Sequence, residues 1–117
     1  MKRDILVSVG IDYDSGVEKF LGEAELYESL LVGFLDDNAF EDARKYIERE
    51  DWEQAGKAMH AMKSVTGTLC MNELYRSCFE TIEAARAHDK AGFKRGFEKA
   101  YGEYTEIARA ITAAASA

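Results

Sequence analysis

The sequence contains no proline, so no residue of this chain forces a helix to end. Alanine, glutamate, lysine, leucine and methionine, which favour helix, are plentiful. At 117 residues the chain is long enough to bury one hydrophobic core without covalent cross-links. We therefore expect a single all-α domain spanning residues 1–117.

Cysteine and histidine are scarce, with two residues of each. Cys70 and Cys78 are eight positions apart, which fits neither a CxxC site nor a disulfide framework, so we expect reduced thiols that serve in packing. The histidines form no ExxH or HxxxH pair, so we predict no metal site and no cofactor bound by this chain. His88 lies near the end of a predicted helix, where a positive charge is favourable.

Positive charge and long apolar runs are also limited. Fifteen basic residues face 22 acidic ones, and the net charge of −7 disfavours nucleic acid and anionic membranes as partners. The apolar run over residues 5–11 is too short for a signal peptide or a membrane span, and we predict an extended segment there. The cytoplasm is the expected compartment.

Capping residues and helical periodicity divide the rest of the chain. Ser15 and Glu18 have the spacing of a capping box, and Gly22 is a suitable helix end. Longer amphipathic helices are predicted over residues 23–37, 39–50, from 52 to about 69, 73–87 and 90–113, followed by a frayed tail. The residues expected to cap or begin the last four are Asn38, Asp51, Asn72 and Asp89. In the helix over residues 73–87, the residues expected to face inward are Leu74, Cys78, Ile82 and Ala85. Amphipathic helices joined by short polar turns indicate an antiparallel up-and-down bundle.

The helix after Asp51 places His60 opposite its apolar face. That apolar face comprises Ala55, Ala58, Met59, Met62, Val65, Thr66 and Leu69. The residues three or four positions from His60 are small or cationic, as is the residue seven positions after it, and together they are Gly56, Lys57, Lys63, Ser64 and Gly67. A glycine inside a helix costs roughly 1 kcal/mol relative to alanine. Neutral drift, close helix packing or clearance for another protein would each account for the two glycines.

An exposed imidazole has a free nitrogen lone pair at pH 7 and can act as a nucleophile. Lys57 and Lys63 would attract an anionic group, and the Ser64 hydroxyl could donate a hydrogen bond to it. No Asp or Glu lies three or four positions from His60, so the helix supplies no carboxylate to orient the ring or to hold Mg²⁺. The pattern indicates a group acceptor that cannot activate the group by itself.

The run 60-HAMKSVTGTLCMNEL-74 resembles the signature of histidine-containing phosphotransfer (HPt) domains, H-x-[apolar]-K-G-x-[small]-x-x-[aliphatic]-G-x-x-x-L. The residues on its positions are His60, Met62, Lys63, Thr66, Leu69 and Leu74. Residues 11–37 and 51–60 resemble the family's first helices and its approach to the histidine. Ser64 and Cys70 stand where the family usually has glycine.

This resemblance implies a four-helix bundle with an additional short N-terminal helix, whose core spans about residues 10–113. His60 would accept a phosphoryl group from the aspartyl phosphate of one receiver domain and pass it to another. Lys63 and Ser64 would stabilise the phosphoryl group, while Gly56, Lys57 and Gly67 would form the docking surface. The implied partners are response-regulator receiver domains or a hybrid histidine kinase, and the Mg²⁺ would be bound by the receiver.

Two other functions are compatible with the same residues. One is a helical interaction module with this fold but no phosphotransfer, and the other is a small enzyme that uses His60 as base or nucleophile.

Phe40 could extend the docking surface, although a core position is the simpler expectation. We expect a monomer; the aromatic residues of the last helix could pack internally or support self-association, and they are Phe93, Phe97, Tyr101 and Tyr104.

Overall fold

The computed structural model describes residues 1–116, which form seven α-helices. The helices are α1 (Arg3–Ser8), α2 (Tyr13–Lys19), α3 (Ala24–Phe34), α4 (Ala39–Glu48), α5 (Trp52–Thr68), α6 (Asn72–Arg86) and α7 (Lys90–Ser116). The all-helical class predicted from the sequence is confirmed. None of the helices in residues 1–116 combines the length and the apolar character needed to cross a bilayer.

Consecutive long helices pack against each other, α4 on α5, α5 on α6 and α6 on α7. The 27-residue α7 also contacts α1, α3 and α4. The shared core is made mainly of aliphatic and aromatic side chains, and its largest fully buried members include Leu6, Tyr27, Leu31, Phe40, Met59, Met62, Leu74 and Ile111. The predicted apolar face of α5 therefore faces the core.

Aromatic rings join α4 and α5 to α7. Phe40 is fully buried, and its ring centroid lies 4.6 Å from that of Tyr104 and 6.3 Å from that of Phe97. The Trp52 ring meets Phe93 edge to face at 5.9 Å. These contacts place Phe40 in the core and not on a docking surface, and they turn the α7 aromatics inward.

The extended segment predicted over residues 5–11 is wrong for most of its length. Residues Arg3–Ser8 form a helix, because this places Leu6 in the core, fully buried, where α1 packs against α7. Only Ile11 has strand-like pairing, in an isolated antiparallel bridge with Met71. Tertiary packing has overridden the β propensity of this β-branched run.

The N-cap of α2 also differs from the prediction. Asp12, and not Ser15, is the N-cap, and its carboxylate accepts hydrogen bonds from the Ser15 backbone N–H at 3.2 Å and the Ser15 hydroxyl at 2.9 Å. The helix is nevertheless two turns long, and it ends before Leu21 and Gly22, whose φ angles of 59° and 81° are left-handed.

At the other end of the chain, the predicted frayed tail is helical as far as Ser116, and Ala117 lies outside the described residues. Ala114 is fully buried, and its carbonyl accepts a hydrogen bond from the Lys2 backbone N–H at 3.2 Å. The N-terminal segment thus stabilises the last turns of α7. In α6 one inward residue was mispredicted, because Ala85 is exposed in the last turn.

Candidate functional site

The candidate site lies on the outer face of α5. Asp51 caps this helix as predicted, with its carboxylate accepting the Gln54 backbone N–H at 3.3 Å. Met59 and Met62 are fully buried, whereas His60 between them is exposed. No hydrogen bond or ion pair within residues 1–116 involves the His60 side chain. The imidazole is therefore open to solvent and to an approaching partner.

The two lysines nearest His60 have different surroundings. The Lys57 ammonium lies 3.6 Å from a carboxylate oxygen of Glu53, one turn earlier on the same face. The Lys63 ammonium lies over the ring of Phe79, 5.4 Å from its centroid. Phe79 belongs to α6, so a neighbouring helix positions the lysine that the HPt resemblance assigns to the phosphoryl group.

The two glycines of the site have different structural roles. A Cβ atom added at Gly56 would meet no atom within 4 Å, so nothing inside this chain requires glycine there. A Cβ atom at Gly67 would lie 3.2 Å from ring atoms of Tyr75, so Gly67 allows α5 and α6 to approach closely. Of the two, only Gly56 leaves free space above the helix surface.

Cys70, which stands where the HPt signature has glycine, lies in the turn after α5. Cys70 has a φ of 58°, in the left-handed region that favours glycine. The Met71 N–H donates to the Thr66 carbonyl at 2.9 Å and the Cys70 N–H to the Gly67 carbonyl at 3.3 Å, as in a Schellman motif. A cysteine therefore occupies a turn geometry for which glycine is the usual residue.

The N-terminal helices hold this end of α5. The buried Tyr27 hydroxyl donates to the Leu69 carbonyl at 2.6 Å, and the Asp12 N–H donates to the Cys70 carbonyl at 3.0 Å. Lys19, the last residue of α2, donates from its ammonium to the Gly67 carbonyl at 2.9 Å. The bonds to Leu69 and Cys70 satisfy carbonyl groups that the helix end leaves without an intrahelical partner, whereas the Lys19 bond adds a second donor to a carbonyl that already accepts the Cys70 N–H.

An apolar groove lies beside the histidine helix, between α3 and α5. Its volume is about 360 Å³, and its lining is Leu30, Gly33, Phe34, Asp37, Ser64, Val65, Thr68 and Leu69. Leu30 is 39 % exposed and Leu26, one turn before it, is 44 % exposed. The groove adjoins Ser64, which is one helical turn from His60.

Several residues of this surface were not singled out in the sequence. Leu30 lies in the amphipathic helix predicted over residues 23–37. That helix has more apolar residues than one face can bury, and this excess is the signal that could have indicated an exposed apolar surface. Lys19, Tyr75 and Phe79 gave no comparable signal. They reach the site only because α2 and α6 pack beside α5.

His88 lies on a different part of the protein, in the turn between α6 and α7, with a left-handed φ of 57°. It shares a cavity of about 240 Å³ with Trp52 and Phe93.

Among residues 1–116, no three His, Cys, Asp or Glu side chains are grouped so that they could hold a metal ion. No protein-family model, curated protein or solved structure matches the chain.

Proposed function

We propose that this protein is a phosphorelay phosphocarrier of the HPt type, with His60 as the phosphoacceptor. The observation that carries the proposal is the exposed, unpaired imidazole of His60 on a helix face whose nearest neighbours are small or cationic. In the proposed architecture, α4 to α7 form an antiparallel up-and-down four-helix bundle. The earlier helices pack against it, as the α1–α7 and α3–α7 contacts support.

In the proposed reaction, a lone pair of the His60 imidazole attacks the phosphorus atom of a receiver's aspartyl phosphate. A nitrogen–phosphorus bond forms as the phosphorus–oxygen bond to the aspartate breaks, and the electron pair of that bond remains on the carboxylate. The second receiver reverses this step with its own aspartate. Because the His60 face has no acidic cluster, Mg²⁺ is assigned to the receiver, whose aspartates can supply oxygen ligands.

The surrounding residues have separate roles in this proposal. Lys63 balances negative charge on the phosphoryl group, and the Ser64 hydroxyl is one turn from the imidazole and can donate to a phosphoryl oxygen. Gly56 leaves clearance for the partner. Lys57 and Gly67 border the docking surface, and the apolar groove beside Ser64 extends it toward α3. We place this monomeric carrier in the cytoplasm.

The test is transfer from receiver domains of the source organism, loaded with labelled acetyl phosphate in the presence of Mg²⁺. Wild-type protein should gain an acid-labile, base-stable label from at least one receiver. His60→Gln should gain none, and His88→Gln, the matched control at the other histidine, should be labelled like wild type.

Label that persists in His60→Gln would contradict the assignment of the phosphoacceptor. Absence of label with every receiver would overturn the phosphocarrier proposal. Receiver binding without transfer would instead support the interaction module, for which the exposed apolar groove is also suited.

A further inference from the structure

A second, polar cavity lies on the opposite side of Ser64 from the apolar groove. Its volume is about 590 Å³, it is open to solvent, and we call it the basic cavity. Its lining residues are Lys19, Lys63, Ser64, Gly67, Thr68, Asn72 and Tyr75. Ser64 and Thr68 line both cavities, so a partner that covers one would reach the rim of the other.

Lys19 brings a cation to this cavity from a distant part of the sequence. Its ammonium donates to the Gly67 carbonyl at 2.9 Å, 48 positions along the chain. An ammonium has three N–H donors, so two remain for another acceptor. The bond to Gly67 limits where the flexible side chain can place its charge, and the cation is therefore fixed beside the histidine helix.

Lys63 brings the second cation, and α6 holds it. Its position over the Phe79 ring uses the face of an aromatic side chain and none of its N–H donors. Lys63 forms no ion pair with an acidic residue in the described part of the chain. The donors of both lysines are thus available at one cavity.

The charge of the cavity is opposite to that of the protein. The chain carries a net charge of −7, yet none of the residues that line the basic cavity is acidic. Ser64, Thr68, Asn72 and Tyr75 add neutral polar groups. A carboxylate entering the cavity would gain two cations without meeting a like charge from the lining.

The openness of the site indicates what kind of anion can use it. Exposed lysine–carboxylate pairs are weak, because water and salt screen them. Two such pairs bind a free carboxylate ion weakly. They bind a carboxylate more strongly when it belongs to a protein that is already docked nearby, because docking raises the local concentration of that carboxylate. Ser64 and Gly67 lie four and seven residues after His60, or roughly 6 and 10 Å along the helix axis. An acidic side chain here would therefore sit one to two turns from the imidazole.

We propose that the basic cavity is a specificity subsite that binds a carboxylate side chain of the docked receiver domain, chiefly through Lys19, while the three N–H donors of Lys63 are shared between this carboxylate and the phosphoryl group. This inference rests on the proposed phosphocarrier function and adds the partner chemistry that the site selects. Lys19 is a positioning residue, since it contacts the partner and not the phosphoryl group. It also stabilises the end of α5, so the test must separate docking from folding.

The experiment uses the full chain and whichever receiver domain labels wild type most rapidly. Lys19→Gln should slow labelling about three- to fivefold, which is the strength of one exposed ion pair, and should weaken the salt dependence of the rate. Lys19→Arg should restore the rate, because it keeps the charge. Lys99→Gln, a matched change at an exposed α7 lysine, should behave as wild type.

A parallel reaction with phosphoramidate removes docking from the measurement, because this small phosphodonor has no carboxylate to place in the cavity. Lys19→Gln should be phosphorylated at the wild-type rate by phosphoramidate. An equal loss with phosphoramidate and with the receiver would overturn the inference, because it would indicate a distorted site.

The remaining outcomes separate the two proposals. If the receiver labels wild type but Lys19→Gln and Lys99→Gln react alike, the carboxylate subsite is wrong and the phosphocarrier function stands. Failure of Lys19→Arg to restore the rate would likewise exclude a role for charge. If no receiver labels wild type, the phosphocarrier proposal is wrong, and the carboxylate subsite, which depends on it, is wrong as well.

Discussion

Gly16 lies directly beneath the side chain of Tyr27, so that a Cβ atom at Gly16 would overlap the ring and come within 2.5 Å of its hydroxyl oxygen. The same hydroxyl donates to the Leu69 carbonyl at the end of α5. The absence of a side chain on α2 therefore lets α3 reach and hold the end of the histidine helix.

Replacing Gly16 with alanine should destabilise the protein by about 1–3 kcal/mol, because the added methyl group must displace a buried ring. Gly102→Ala is the control, since a Cβ atom there meets nothing within 4 Å and the α7 helix should gain about 0.5–1 kcal/mol. Urea unfolding followed by circular dichroism measures both values. A Gly16→Ala protein as stable as wild type would show that Tyr27 can move without penalty.

Gly56 should separate stability from function. Gly56→Ala should raise the free energy of unfolding by about 1 kcal/mol, since alanine favours helix and the added atom meets nothing. If a docked receiver occupies the empty space above Gly56, the added methyl group should clash with the receiver. Phosphotransfer should then be about tenfold slower. Gly102→Ala should gain similar stability and transfer at the wild-type rate. Unchanged transfer in Gly56→Ala would argue against the clearance role.

Lys63 and Lys94 form a matched pair, because each places its ammonium over an aromatic ring, 5.4 Å from the Phe79 centroid and 5.7 Å from the Trp52 centroid. Alanine at Lys63 should cost about 0.5–1 kcal/mol of stability, and alanine at Lys94 no more than that, because Lys90 also lies over the Trp52 ring at 5.7 Å. Only Lys63→Ala should also slow loading of His60, by roughly fivefold, because its charge is the one beside the histidine. Timed labelling by a receiver compares the variants, and equal rates would contradict the role given to Lys63.

Stability should fall at alkaline pH. Burial, with the nearby Glu103 charge, raises the pKa of the Cys78 thiol to about 12 from its usual 9.0, and burial chiefly raises the pKa of Tyr27. The folded protein therefore keeps these protons to a higher pH than the unfolded chain does. Their stabilising contribution is complete below about pH 9 and is lost as the pH rises toward 12, at up to about 1.4 kcal/mol per pH unit for each group.

Urea unfolding at intervals between pH 8 and pH 11 measures this slope. Cys78→Val and Tyr27→Phe each remove one titrating group and should flatten it. Identical slopes in wild type and both variants would show that other groups control the alkaline loss.

Local patterns predicted much of the fold because helix periodicity and caps are properties of neighbouring residues. The caps at Asp51 and Asp89 form as expected, with Asp89 accepting the Gly92 N–H at 2.8 Å. Asn38 makes no side-chain capping bond, and Met71 is the N-cap of α6 where Asn72 was expected. The prediction failed at α1 and at the end of α7, where burial of Leu6 and Ala114 decides the conformation. Those contacts join opposite ends of the chain, and no local window contains them.

The sequence by itself determined that the protein is helical and that His60 lies on the outer face of α5, because both follow from spacing along one helix. Only the tertiary structure decided which residues surround that face. Lys19 reaches Gly67 from α2, Phe79 holds Lys63 from α6, and Leu30 borders the groove from α3. These relationships depend on how separate helices pack, and packing is set by the whole core rather than by any one segment.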